Sequence, residues 1–376
     1  MARTEAYVTP AVLRWARESI GYGVEGAAKK IGTTADKLIQ AELGLAYLTL
    51  RQAEKAADTY HQPLALLFSP EPPVEQPQEA QLRQLPDAPP PPWPPEMVLM
   101  ARRVRERQEA AKELQDLLDD EPSWPGRTQP LATASDDELP VLARSLLGIP
   151  IDEQLAWRDT VGYTALRYWT DALESLGVLV MQTGDVELAL MRGFASVDDA
   201  IPAVVVNSAD DPRARTYTAL HELGHLLLNI RGSQNDPERW CEEFAGNVLM
   251  PPHALQVAFK STSGPVLRRI DSIARDFSVT PAAATIRLLR NKLISQQEAS
   301  EALDVIGRRR RQEDQGGGNY YSTQIGRMGP SFIRLVFNAL ENQAVTYPSA
   351  SSLLGVKVNN FQKLRTYLAK REGIPA

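Results

Sequence analysis

Two of the chain's four histidines stand four positions apart, His221 and His225 in TALHELGHLLLN, with Glu222 beside the first. On a helix, residues i and i+4 share one face, so the two imidazoles can converge on one cation. Glu222 lies about 100° further round, placed to take a proton from water rather than to ligate. Imidazoles in this His-Glu-x-x-His spacing are the signature of zinc-dependent hydrolysis. The bland alternative is two histidines that merely share an amphipathic helix. Against it, Leu220, Leu223, Leu226, Leu227 and Leu228 surround the pair. Neutral imidazoles on so apolar a helix need partners, and a metal supplies one. Gly224, between the histidines, leaves room for another backbone to approach.

A hydrolytic zinc ion takes three protein ligands and keeps a fourth position for water, so a third ligand must follow downstream. In DPERWCEEFAGNVLMPPHAL, Asp236 and Pro237 open a new helix that carries Glu238, Glu242 and Glu243. Glu238 and Glu242 share a face at i,i+4, while Glu243 turns away. His253 follows two prolines and reads as lying outside the site. On these residues alone, Glu238 and Glu242 are both candidate ligands.

The elements that must hold this helix are short strands. GVLVMQT, LALMRGFAS and PAVVVNSA are β-branched segments bounded by turn residues, and they end where the motif helix begins. Elsewhere the pattern is helical, so the fold class is α+β. Residues 97–306 form the domain around the motif, opening with the long helix EMVLMARRVRERQEAAKELQDLLDD. Within it, IDSIARDFSVTPAAATIRLLRNKLI reads as helix, turn, helix, packed beside the site. GRRRRQEDQGGG, in 307–318, reads as an exposed hinge, and 319–376 as a C-terminal helical module.

In front lies a separate stretch. Residues 1–68 are expected to be all-α, with Thr9 capping a helix begun by Pro10, a second helix ending at Gly32, and a third capped by Thr34. AAKKIGTTADKLIQAELG resembles the central part of the XRE-type helix-turn-helix domain, Glu42 and Gly44 being the most characteristic residues. That resemblance implies DNA binding through residues 9–68. The charge does not favour it: residues 1–70 hold eight Lys and Arg against seven Asp and Glu, with no phosphate-seeking excess. Docking to a protein, or dimerisation, fits as well. Residues 69–96 contain 11 prolines and read as an extended spacer between the domains.

Composition closes off other classes. Hydrophobic residues make up 43% and charged residues 23%, with a net charge of −6, which is ordinary for a globular chain. Cys241 is the only cysteine, so no internal disulfide forms and a reducing compartment fits. There is no signal-peptide core and no apolar run of membrane-spanning length. A cytoplasmic protein without membrane contact is expected.

The joint pattern around the motif is more specific than the motif itself. IPAVVVNSADDPRARTYTALHELGHLLLN followed by ERWCEEFAGNVLMP resembles the ImmA/IrrE-type zinc metallopeptidases. Shared features are a strand ending in Asn, an Arg shortly before the motif helix, the motif, and a Glu-x-x-x-x-x-Phe-Ala segment running to Leu-Met-Pro. The resemblance implies a zincin-like domain, a small sheet plus the motif helix, holding one zinc ion on His221, His225 and Glu238, with Glu222 as catalytic base. The position four after Glu238, usually Asn, is Glu242 here, which stands as the alternative metal ligand.

Val204, Val205, Val206 and Asn207 are expected to offer an exposed strand edge to an extended substrate. Arg215 and Tyr217 are candidates for steadying the transition state. The family implies a zinc endopeptidase that cuts a regulatory protein, an XRE-type repressor or an antitoxin partner, to relieve repression. A second hypothesis is a DNA-binding transcription regulator or toxin–antitoxin component whose metallopeptidase domain acts mainly as a sensor.

Overall fold

The structure, a computed structural model, describes residues 4–73, 93–121, 124, 131, 133–157, 161–198, 200–232, 235–310 and 320–372. Most of the expected spacer and most of the expected hinge, residues 74–92 and 311–318, lie outside the described residues. Compactness divides the chain into two units, Met1–Arg105 and Glu106–Ala376.

The first unit is built from α1 (Pro10–Glu18), α2 (Val24–Ile31), α3 (Ala35–Glu42), α4 (Leu50–Tyr60) and a short 3-10 helix at Leu64–Phe68. Its starts follow the sequence signals. Thr9 and Pro10 stand at the N-cap and first position of α1, and the Thr34 hydroxyl accepts from the Lys37 amide at 3.3 Å. Thr49 and Gln52 exchange side-chain bonds in a capping box. Val12, Leu13, Ala16, Ile31, Leu38 and Tyr60 form the buried interior. Beside it Arg17 grips Glu42 with two bonds of 2.7 and 2.9 Å. Glu42 therefore serves the packing of this unit. The unit is not all-α as expected: β1 (Glu5–Ala6), ahead of α1, pairs antiparallel with β2 (Leu48–Thr49), in the link between α3 and α4.

The second unit centres on a three-stranded sheet. The long helix α5 (Pro95–Leu117) crosses the division, and α6 (Leu139–Leu146), α7 (Ile151–Ala156) and α8 (Tyr163–Ser175) follow. Then come β3 (Leu179–Thr183), β4 (Gly193–Ser196) and β5 (Ala203–Asn207), in the spatial order β3-β5-β4. Strands β3 and β5 run parallel, with Leu179 opposite Ala203, while β4 runs antiparallel with Gly193 opposite Val206. The LALM stretch expected in the second strand forms a turn, and only Gly193–Ser196 is extended. Val180, Val204 and Val206 join the core with Trp169, Leu173, Leu220, Leu223 and Phe244. The alternate residues Met181, Phe194 and Val205 are buried as well, so the sheet is covered on both faces.

Five helices complete the centre of the unit: α9 (Pro212–Arg231), α10 (Pro237–Leu249), α11 (Pro252–Ser261), α12 (Val266–Asp276) and α13 (Pro281–Arg290). The expected helix-turn-helix over the tail is α12 and α13, with the Thr280 hydroxyl capping the second. Beyond α14 (Gln296–Arg310) come α15 (Tyr320–Met328), α16 (Pro330–Glu341), α17 (Tyr347–Leu354) and α18 (Phe361–Glu372). These last helices, expected as a module of their own, belong to the second unit. Glu174, at the end of α8, accepts from the Ser331 amide at 3.0 Å and pairs with Arg334 at 3.2 Å. Burial pushes its carboxyl up to about 7, against the pull of Arg334.

Candidate metal centre

Helix α9 starts where Asp211 accepts from the Arg213 amide at 2.8 Å and Pro212 takes the first helical position. One face of it enters the core through Leu220, Leu223 and Leu227. His221 and His225 share a different face, and their rings cross edge to face with centroids 4.9 Å apart. Helix α10 begins in the same way, with Asp236 accepting from the Arg239 amide and Pro237 at the first position, which puts Glu238 in its first turn.

Three ligand atoms converge here. His221 Nε2 and His225 Nε2 are 3.1 Å apart, and they lie 3.3 and 3.5 Å from the two oxygens of Glu238. This group is close enough to hold a metal ion. The fit can be tested on the spacing. Donors bound tetrahedrally about 2.0–2.1 Å from a zinc ion stand roughly 3.3 Å from one another. The observed separations bracket that value. Two nitrogens and a carboxylate are also the donor set that zinc prefers in hydrolytic sites.

A glycine sets how closely the two helices approach. A Cβ on Gly224 would lie 3.0 Å from Cys241 Sγ and 3.3 Å from its Cα. The bare backbone lets α10 settle onto α9 one residue before His225, as the sequence led us to expect. At the far end of α10 the carbonyls are held by side chains from three other elements. Arg144 donates to Val248 O at 2.6 Å, Gln154 to Leu249 O at 3.1 Å, and Arg287 to Met250 O at 3.2 Å. Cationic donors at a helix C-terminus also complement its dipole.

Glu222 is buried, 2% exposed, and faces the start of β4. A Cβ on Gly193 would lie 2.5 Å from Thr218 Cγ2 and 3.1 Å from Glu222 Oε1. Strand β4 can lie this close to the helix only because residue 193 has no side chain. Gly193 and Thr218 were not singled out in the sequence, although a glycine opening a strand is a signal for close approach.

The other expected site residues fall elsewhere. Glu242 is paired with Arg290 of α13, and the group of converging ligands is His221, His225 and Glu238. His253 stands exposed at the start of α11. Tyr217 stacks near His221, with centroids 6.5 Å apart, but its hydroxyl donates to Glu242 O at 3.1 Å. Burial pushes that hydroxyl up to about 12. Arg215 donates to Gln182 Oε1 of β3 at 2.8 Å and lies over the Tyr163 ring; burial lowers its pKa.

The substrate edge needs correcting. Val204, Val205, Val206 and Asn207 lie in β5, the middle strand, hydrogen-bonded on both sides and fully buried. Asn207 spends its amide on the loop before β4, donating to Val186 O and Met191 O at 2.9 Å each. Its oxygen accepts from the Ala209 amide. Such a strand has no free edge to lend, and Asn207 is a brace for the loop. The sheet's edge on this side is β4.

A small sheet backs a helix with two convergent histidines, and with a carboxylate from the next helix they form a group able to hold a metal ion. Residues 173–289 match the family model described as the IrrE N-terminal-like domain, Peptidase_M78. The matched stretch runs from the end of α8 through the sheet to α13 and supports a peptidase domain of the ImmA/IrrE type. No curated protein and no solved structure matches the chain. Among the described residues, no helix is long and apolar enough to cross a membrane.

Proposed function

We propose that the chain is a zinc-dependent endopeptidase whose substrate is a regulatory protein, a DNA-binding repressor or an antitoxin partner. The observation that carries this reading is the convergence of His221, His225 and Glu238 at 3.1–3.5 Å beside the buried carboxylate of Glu222. Those three residues would hold one zinc ion, which when bound polarises a carbonyl and makes water more acidic. Glu222 takes a proton from the attacking water on its carboxylate and returns it to the leaving nitrogen.

Strand β4, paired on one side by β5, is where an extended peptide would add its own backbone to the sheet. Gly193 then brings that peptide's backbone alongside Glu222. Arg215 and Tyr217, bonded to β3 and α10, brace the helix that carries the site. The regulatory substrate rests on the resemblance to the ImmA/IrrE-type peptidases.

The test is co-expression of the chain, wild type and Glu222→Gln, with the product of the adjacent gene. A single fragment formed by the wild type, and lost with the variant or on chelation, is expected. Operator binding that survives chelation, with no fragment from either form, would replace this reading with a regulator whose metallopeptidase domain acts as a sensor.

A further inference from the structure

The N-terminal unit carries an apolar surface that its own core does not use. Ile39 and Leu43 stand one turn apart on the outer side of α3, and Leu45, Tyr47 and Leu50 follow toward α4. The pairing of β1 with β2 brings Tyr7 against Tyr47, with ring centroids 4.7 Å apart. Leu43, Leu45 and Tyr7 are 61%, 75% and 67% exposed. The six together present on the order of 600 Å², at the top of the range for the largest apolar patch of a monomer. That approaches the ~800 Å² each partner contributes to a stable interface.

Nucleic acid is a poor match for this face. A base-reading helix presents Arg, Lys, Asn or Gln outward. The exposed positions of α3 are Asp36, Ile39 and Gln40, with Leu43 just beyond its end. One amide, one acid and two aliphatic side chains would bury leucine against phosphate and set a carboxylate beside it. The partner must itself be apolar.

Charge beside the patch narrows the choice. Exposed charged residues next to it in sequence carry both signs, Glu5 and Asp36 being acidic and Arg51, beside Leu50, basic. A surface placed against its own copy across a twofold axis meets its own charges. A rim of one sign would repel itself, whereas a mixed rim can pair. The geometry points to a homodimer in which the face of Tyr7, Ile39, Leu43, Leu45, Tyr47 and Leu50 docks on the same face of a second copy. This inference does not depend on the peptidase reading.

Sedimentation equilibrium of the full chain, from about 1 to 100 µM, tests it. The expected species has twice the 41.6 kDa chain mass. Leu43→Glu with Leu45→Glu should weaken self-association by about 100-fold or more, while circular dichroism and the melting curve stay unchanged because both side chains are exposed. Tyr47→Lys, made separately, should do the same and guards against misfolding in the double variant. A chain that stays monomeric throughout, or a dimer indifferent to all three changes, overturns the proposal. So does loss of duplex DNA binding in these variants without a change in mass.

Discussion

Helix α9 and the outer side of α3 depart from the usual sorting of residues by polarity in opposite directions. On α9, Glu222 and His225 are each 2% exposed within a run of leucines. On the α3 side, leucines and tyrosines stand in solvent although the small core beneath them is complete. Ionisable groups are rarely buried without partners, and clustered apolar groups are rarely exposed without one. The first departure reads as a place where a cation is held, the second as a place where a protein is held. Local rules tend to break where something outside the chain completes the structure.

The sharpest way to break the comparison is at Glu222. Glu222→Gln should keep one zinc per chain by elemental analysis while cleavage falls about 10²–10⁴-fold; undiminished turnover would put the proton transfer elsewhere. Next comes Arg17→Ala, which strips the bidentate partner from Glu42. Leaving a buried charge alone costs about 3–5 kcal/mol, so chemical denaturation should show the first unit melting early, with zinc content unchanged. A transition that does not move would mean the pair contributes nothing to this unit.

Gly224→Val ranks third. Its side chain must displace Cys241, and overpacking of this kind costs about 1–3 kcal/mol. Because α10 carries Glu238, chelator competition should also show faster zinc loss, whereas a purely global effect would lower the melting temperature alone.

The smallest effect concerns pH. Glu174 is pushed up to about 7 by burial from an ordinary value of 4.5, so the folded chain holds this proton more tightly than the unfolded one. Its contribution is full at low pH and is lost as pH rises through about 7. Melting temperature should therefore drop by a few degrees between about pH 5 and 8, and Glu174→Gln should flatten that slope. An unchanged slope would place the titration on other groups.

Much of the site was legible because helices repeat every 3.6 residues. The shared face of His221 and His225, the caps at Asp236 and Thr34, and the place of Gly224 all follow from local chemistry. Glu238 against Glu242 was not decidable by periodicity, since both lie on one face; the pairing of Glu242 with Arg290, 48 residues on, is a long-range fact. Val204 to Asn207, expected as an exposed edge, form the middle strand. A signal was present, because Ala203–Val206 is apolar without alternation, as in a strand buried on both faces. Partners of Asn207 lie 16 and 21 residues back, beyond what spacing can show.

The side chains gathered on the carbonyls of Val248, Leu249 and Met250 have a further consequence. Helix α10 is moored at its C-terminal end, so it cannot slide or turn as a rod without breaking bonds to three separate elements. Its first turn is the exposed end, where the Glu238 side chain is 57% exposed. If the three side chains hold an ion as proposed, its exchange should proceed by unwinding that turn while the histidine pair stays in place.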